Sequence, residues 1–233
     1  MSEAVVYTGR VAEFREYVWV TDATVAEGVT EIKQLAFYYC KGLTNLSFLK
    51  DSAITTVGEW AFRASGVVTL QGMERVRKIG DGAFWSCTGL RTIEGLGCEE
   101  MGTHCFYGCT LLQSMKGWPA SMTVIPGACF CDCTGMTTVD CDLSRVTSIG
   151  VAPFGRGHAF AGCTSLLPPS LSKHDADPAA VLAHLKEKSR KELARWALLC
   201  SLKHAHSSYY DRTGDPCGAS KRIIMEFAGL FPA

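Results

Sequence analysis

The sequence predicts an α/β solenoid, a stack of similar coils that each contribute one turn and one short strand, followed by a small α-helical region. Two observations lead to this fold class. A Phe recurs six times inside one local pattern, at steps of 25, 22, 22, 24 and 30 residues, and the apolar spacing within each unit changes from helical to strand-like. A period of this length is typical of stacked units that cannot bury their apolar faces alone. The six positions are Phe37, Phe62, Phe84, Phe106, Phe130 and Phe160.

Each unit follows the frame I-(G)-x-x-(A/C)-F-x-x-(C/S)-x-x-(L/M)-x-x-(I/L/V/M). In the third unit Ala83, Cys87 and Leu90 fall at i, i+4 and i+7, which predicts one face of a short helical turn. Leu90 and Ile93 then predict a short strand, and one turn with one strand per repeat indicates a leucine-rich repeat. A glycine, which we expect to let the chain change direction, precedes the turn in four units: Gly58, Gly80, Gly102 and Gly150.

This frame resembles the BspA-type leucine-rich repeat, and residues 25–32 (VAEGVTEI) are similar to the segment that precedes the turn in that family. The resemblance covers residues 24–167. It implies a right-handed solenoid with a parallel sheet on its concave side and no catalytic centre. Members of the family are recognition or adhesion proteins, often at cell surfaces, so the resemblance also implies a binding role.

Three regions follow from the pattern. Residues 1–23 are expected to form an N-terminal cap on the first coil, because a terminal repeat must be covered, and residues 24–167 hold the six repeats. Residues 168–233 are predicted to be α-helical. There Asp177 and Pro178 predict the start of one helix, Ser189 opens a capping box that predicts a second, and a third is expected from near Ala219.

Most of the twelve cysteines recur at fixed repeat positions. At the position three after Phe, five units have Cys and the second unit has Ser65. At the position before Phe, Cys105 and Cys129 replace the Ala of other units. Such interchange predicts small, buried, reduced thiols. Cys131 lies outside the repeated positions, so we expect it to be exposed and reactive. A tetrahedral zinc site or cross-coil disulfides remain alternatives for the set Cys105, Cys109, Cys129 and Cys133.

Composition and motifs exclude several classes of function. Lys+Arg and Asp+Glu are equal at 23 each, and without a basic stripe no nucleic-acid partner is expected. The chain lacks a nucleophile elbow, a His-Glu-x-x-His motif and a glycine-rich nucleotide fingerprint, so we expect no enzyme and no cofactor. Cys200, His204 and His206 do not share one helix face, which argues against a metal site. Without a signal sequence or apolar span we expect a cytoplasmic, intracellular location, with the cell surface as the alternative.

The strand register predicts which residues face the concave side, where most leucine-rich repeats bind. They are small or polar and carry no dominant charge, which suits a protein or peptide partner bound by hydrogen bonds. We therefore expect a non-catalytic protein-interaction module that binds through this face or through the helical tail. The predicted concave residues are Asn45, Ser47, Thr69, Gln71, Thr92, Glu94, Ser114, Lys116, Thr138 and Asp140.

Two alternatives remain open. The protein could be a structural subunit of a large assembly, which would explain the apolar tail. It could instead recruit substrates to an enzyme complex, because the end of the chain, IIMEFAGLF, loosely resembles part of an F-box helix. The identity of the partner and the oligomeric state do not follow from the sequence.

Overall fold

The computed structural model describes residues 3–48, 53–70, 75–94, 96–116, 118–152 and 157–206, with side chains up to residue 197 except that of residue 48. These residues form a solenoid of parallel strands followed by one helix. The strands in order are β1 Glu3–Tyr7, β2 Val20–Val25, β3 Glu31–Ile32, β4 Asn45–Phe48, β5 Thr56–Val57, β6 Lys78–Ile79, β7 Thr92–Glu94, β8 Glu100–Met101, β9 Ser114–Lys116, β10 Val124–Ile125, β11 Thr138–Asp140 and β12 Ser148–Ile149.

The strands form two series, and every neighbouring pair within them is parallel. One series, in the orders β1-β2-β4 and β7-β9-β11, contains the predicted strands that follow each turn. The second, in the orders β3-β5-β6-β8 and β10-β12, consists of two-residue strands that immediately precede the turns. In β6 and β10 the apolar residue, Ile79 or Ile125, is buried while its neighbour is exposed, as expected for alternating side chains in a strand.

The segment around each Phe is a turn but not a helix, so the predicted helical turn is wrong. Around Phe84 the residues two before and two after, Gly82 and Ser86, have φ of 57° and 55°. Alternate N–H groups point out of the turn: that of Phe84 donates to Cys105 O of the next coil at 2.8 Å, and that of Ser86 donates to Tyr107 O at 2.6 Å. A helix would direct all of these donors along its own axis, whereas here half of them join neighbouring coils.

Inside the solenoid the Phe rings form one continuous stack. Successive ring centroids lie 5.2 to 5.6 Å apart with interplanar angles of 3 to 20°. The predicted stacking of Phe84 on Phe106 is confirmed, at 5.3 Å and 3°. Phe14 begins the stack in the segment that we expected to cover the first coil, and its neighbours Ala12 and Glu16 also have positive φ. The turn geometry therefore starts one unit before the first predicted repeat.

The repeated cysteines are buried, as predicted, but they do more than fill space. The thiol three residues after a Phe donates to the backbone carbonyl of the Phe in the preceding coil, for example Cys87 Sγ to Phe62 O at 3.0 Å and Cys133 Sγ to Phe106 O at 3.1 Å. The same carbonyl of Phe62 also accepts the N–H of Ser65 at 2.9 Å. The hydroxyl of Ser65 instead lies 3.5 Å from Cys87 Sγ. Thiol-to-Phe carbonyl bonds equivalent to that of Cys87 are made by Cys40, Cys109 and Cys163.

Two further expectations about small residues need correction. Cys131, predicted to be exposed, is fully buried among Ala128, Ala152 and Ala161, because later segments of the chain cover it. The glycine before the turn serves close packing between coils more than a change of direction. A Cβ on Gly80 would lie only 2.6 Å from the backbone N of Glu59 in the preceding coil, a distance that requires the backbone to shift.

Within the described residues one helix, α1 at Pro178–His206, follows the solenoid. Asp177 caps it as predicted, accepting the N–H groups of the second and third helical residues at 3.1 and 3.3 Å. The predicted second helix start at Ser189 is wrong: Ser189 lies inside α1 and is buried, and its hydroxyl donates to Cys141 O at 2.5 Å. Leu182 and Leu185 are buried where α1 packs on β11 and β12. The third helix predicted near Ala219 lies outside the described residues.

Candidate interaction surface

The predicted concave residues fall into two groups along the solenoid. On β7, β9 and β11 they form two rows in register, one with Thr92, Ser114 and Thr138 and one with Glu94, Lys116 and Asp140. On β4, Asn45 and Ser47 pair in register with Asp22 and Thr24 of β2. Thr69 is exposed but lies outside the strands, and Gln71 lies outside the described residues.

The second row of the larger group alternates in charge across three neighbouring strands. Lys116 Nζ lies 2.7 Å from Glu94 Oε1, and both side chains are about half exposed. The hydrogen bond to Glu94 raises the pKa of Lys116, with a smaller contribution from the charge of Asp140. Thr138 Oγ1 donates to Asp140 Oδ2 at 3.1 Å. These contacts orient a negative, positive, negative row that faces solvent.

The first row is less accessible than the strand register suggested. Ser114 at its centre is only 7% exposed, and Thr92 and Thr138 on either side are half-buried. A partner on this sheet would therefore contact the charged row more than the hydroxyl row. We assign the centre of the candidate surface to Glu94, Lys116 and Asp140.

Near the N-terminal end, the polar groups of the corresponding surface are hydrogen-bonded to one another. The Asp22 carboxylate accepts from the Thr21 hydroxyl at 2.6 Å and from Asn45 Nδ2 at 2.8 Å, and these two bonds lower the pKa of Asp22. Thr24 and Ser47 share a hydroxyl hydrogen bond at 3.0 Å. Because these polar side chains hydrogen-bond to one another, fewer of their donors and acceptors are available to a partner.

Sequence reasoning missed a second surface, formed by the residue that directly follows each Phe. In five consecutive coils this residue is Arg or an aromatic, and the side chains stack on one another. The guanidinium of Arg63 lies 4.6 Å from the Trp85 ring centroid and 5.8 Å from that of Tyr38, and Trp85 lies 4.7 Å from the Tyr107 ring. We call this set the outer column; its members are Arg15, Tyr38, Arg63, Trp85 and Tyr107.

The outer column could have been found from the sequence. The position after Phe was treated as variable, yet its occupants before Cys131 are all planar cationic or aromatic groups. Tyr39 and Trp60 flank the column and are each more than one third exposed. Aromatic and Arg side chains are common at the centres of binding sites, but here much of their surface is used against each other.

Comparison with known proteins agrees with the geometry. The profile of the BspA type leucine rich repeat region matches six copies, over residues 12–137 and 70–167. The chain belongs to the BspA-type leucine-rich repeat family. That family is generally non-enzymatic and is consistent with a protein-interaction module. A search of the curated proteins found no match.

Three solved structures of bacterial leucine-rich repeat proteins share the fold. The protein from T. pallidum has a TM-score of 0.56 at 19% identity, with 79% of this chain and 83% of that one covered. The protein from Bacteroides ovatus has a TM-score of 0.55 at 23% identity, with 69% and 40% covered. A leucine rich cell surface protein from Faecalibacterium prausnitzii has a TM-score of 0.53 at 22% identity, with 74% and 48% covered. The chain thus spans less than half the length of the latter two proteins.

Among the described residues, no helix is long and apolar enough to cross a membrane.

Proposed function

We propose that this protein is a non-catalytic recognition module that binds a protein partner through the concave sheet of β7, β9 and β11. The observation that carries the proposal is the row Glu94, Lys116, Asp140, which presents alternating charges in fixed register on three adjacent strands. Such a row selects a partner by charge order, because like charges opposed across an interface are costly. The buried cysteines of the described residues, which form no disulfides, support an intracellular location for this binding.

The proposal is tested by exchanging two charges of the row while keeping the ion pair between them. The double variant Glu94→Lys, Lys116→Glu keeps an ion pair on the same two strands but exchanges the charges that a partner meets. With the tagged full chain as bait in an extract of its native cells, and mass spectrometry as the readout, we expect the principal partner to be lost or weakened at least about 10-fold. A loss of that size corresponds to about 1.4 kcal/mol, within the range of interface hot spots.

A matched control comes from the other strand series. Lys78 and Glu100, on β6 and β8, form an equally exposed ion pair at 2.8 Å, so Lys78→Glu, Glu100→Lys makes the same charge exchange away from the concave sheet. This control should retain the partner. If the two double variants behave alike, the concave row is not the binding site. Removal of residues 207–233 alone tests the end of the chain, and loss of the partner only in that variant would favour binding through the C-terminal region.

A second candidate function, a structural subunit of an assembly, is favoured by the first coil. Val6, Val11 and Val18 there are each more than half exposed, and Tyr17 and Trp19 are 42% exposed. The outer edge of β1 borders this apolar surface. Light scattering after gel filtration distinguishes the two functions: a recognition module should be monomeric, and an assembly subunit should self-associate or aggregate until Val6→Lys, Val18→Lys is introduced.

A further inference from the structure

A group of three potential metal ligands lies where the last coils meet the segment that leads to α1. Cys131 and Asp132 come from the turn after Phe130, and His174 comes from the segment after the solenoid. The thiol sulfur, one carboxylate oxygen and one ring nitrogen all lie within 4.8 Å of one another. Within the described part of the chain, this is the one such group of three or more His, Cys, Asp and Glu side chains.

The backbone on both sides of the group is fixed by hydrogen bonds. The N–H of Asp132 donates to Ala161 O at 2.7 Å, as part of the ladder that joins neighbouring coils. On the other side, the N–H of Gly162 donates to Ser172 O at 2.7 Å, and His158 Nε2 lies 3.1 and 3.0 Å from the carbonyls of Leu171 and Lys173. His174 directly follows Lys173 in the sequence. Its position beside the turn is therefore set by backbone contacts that do not involve its own side chain.

Two glycines leave the space that the ligand atoms occupy. A Cβ on Gly162 would lie 2.1 Å from Asp132 Oδ1, and a Cβ on Gly157 would lie 2.9 Å from His174 Nδ1. Both have φ in the left-handed region, at 77° and 84°, where other residues are disfavoured. The buried side chains clustered with Cys131 are small alanines, and the half-buried Tyr107 packs against them. The two glycines thus leave room for the ligand atoms of Asp132 and His174.

The combination of donors points to zinc. Zn²⁺ binds thiolate, imidazole and carboxylate together, whereas Ca²⁺ and Mg²⁺ require oxygen ligands and are not suited by a thiolate. Three ligands of one protein leave a fourth tetrahedral position for water. A nucleophilic role for the same trio is disfavoured because Cys131 is fully buried, and a substrate could not approach its sulfur.

We propose that Cys131, Asp132 and His174 bind one Zn²⁺ ion and that the ion fastens residues 171–174 to the turn of the Phe130 coil. Binding converts the Cys131 thiol into a zinc-bound thiolate and releases its proton to solvent. Because residues 171–174 lead directly into α1, the ion also stabilises the docking of α1 on the last coils. The site differs from the four-cysteine site considered from the sequence. There the thiols of Cys109 and Cys133 donate hydrogen bonds to the carbonyls of Phe84 and Phe106.

The test uses the full chain, stripped with a chelator and titrated with Zn²⁺ in competition with a chromophoric chelator. We expect one equivalent to bind, and Co²⁺ to give a sulfur-to-metal charge-transfer band at the same stoichiometry. Cys131→Ser and His174→Ala should each weaken Zn²⁺ binding at least about 10-fold, the scale on which the loss of even an outer-shell partner acts. Asp132→Asn should weaken it as well while the charge-transfer band of Co²⁺ persists, because the thiolate remains.

Matched controls separate this site from other thiols and histidines. Cys163→Ser removes a buried thiol of the next coil, and His184→Ala removes a histidine of α1; neither belongs to the group, and both should bind Zn²⁺ as the unaltered chain does. A triple variant, Cys200→Ser, His204→Ala, His206→Ala, tests the rival set in the tail. If this triple variant abolishes binding while Cys131→Ser and His174→Ala retain it, the proposed site is wrong.

Zn²⁺ should also raise the thermal unfolding midpoint of the unaltered chain, because a ligand that binds only the folded state stabilises it. His174 is exposed, so His174→Ala should fold normally by circular dichroism yet lose this response to Zn²⁺. An unaltered chain that binds no Zn²⁺ stoichiometrically, or whose midpoint responds to Zn²⁺ as strongly with His174→Ala, would overturn the proposal.

Discussion

The stacked Phe residues and the outer column are one residue apart in sequence and share the same repeat, yet they differ in what they tolerate. The Phe position is filled by the same residue in every predicted coil and is fully or almost fully buried. The next position varies: it is Arg, Tyr or Trp from Arg15 to Tyr107, then Cys131, and finally Ala161. The backbone hydrogen bonds between neighbouring turns set the same coil-to-coil spacing for both positions. Close packing then dictates residue identity at the Phe position, whereas at the next position the same spacing serves cation–π stacking in one stretch and places Cys131 in the proposed zinc site in another.

The largest expected difference between the two positions is in stability. Phe106→Ala should lower the free energy of unfolding by roughly 3 to 5 kcal/mol, because the ring is completely buried between Phe84 and Phe130 and its removal leaves a large cavity. Chemical denaturation with a linear extrapolation measures the change. As a control on the outside of the turn, Tyr39→Ala should cost less than about 1.5 kcal/mol, since surface changes are usually small. A change below about 1 kcal/mol for Phe106→Ala would contradict the stack.

The interior thiols should make the protein sensitive to alkali. Burial raises the pKa of Cys87 from 9.0 to about 12, so above pH 9 the unfolded chain releases this proton while the folded chain keeps it. Stability contributed by the buried thiol is therefore complete below pH 9 and is lost as the pH rises towards 12. Cys40 and Cys98 are shifted to about 12 for the same reason. Unfolding free energies measured between pH 8 and 11 should fall progressively.

One thiol can be isolated from this response. Cys87→Ser removes the titrating group at a repeat position that is Ser65 in the second unit. It should reduce the fall of the unfolding free energy with pH by up to about 1.4 kcal/mol per pH unit, the value for one proton. Thr88→Ser, in the same coil, should leave the slope unchanged and controls for the titration of Tyr and Lys. Parallel curves for Cys87→Ser and the unaltered chain would mean that this thiol is not protected by the fold.

The smallest expected effect lies in the outer column. The contact of Arg63 with Trp85 should contribute about 0.5 to 1 kcal/mol, the usual value for a cation–π pair near the surface. A double-mutant cycle with Arg63→Gln and Trp85→Leu isolates that coupling from the loss of packing. A coupling energy indistinguishable from zero would show that the column is a geometric consequence of the repeat and not a source of stability.

The sequence predicts the parts of the fold that repeat and misses those that depend on contacts between coils. Phe84 and Phe106, and the strands that follow their turns, could be placed by spacing alone. The turn could not, because Leu35 and Tyr39 adopt φ of 59° and 60°, which their residue types disfavour. Hydrogen bonds from the turn to the next coil impose that conformation.

The same limit applies outside the turns. The motif beginning at Ser189 is typical of a helix start, but the hydroxyl finds a carbonyl of the solenoid instead, and the helix continues through it. No other coil has Cys at the position of Cys131, and its burial depends on where the later chain returns. Of the candidate surface, the register of Glu94, Lys116 and Asp140 was predictable. Only the pairing of the three strands in register shows that their charges alternate across the sheet.

The way in which α1 docks has a consequence for how freely the last coils can change. Two of its polar contacts, from Ser189 to Cys141 O and from Lys188 Nζ to Leu166 O at 3.1 Å, go to main-chain carbonyls. A carbonyl is present whatever side chain the residue carries, so the solenoid can diverge in sequence at these positions without losing the anchor, provided that the path of its backbone is kept. Natural variation should therefore be tolerated at Cys141 and Leu166 more readily than at Ser189, which must supply the hydroxyl.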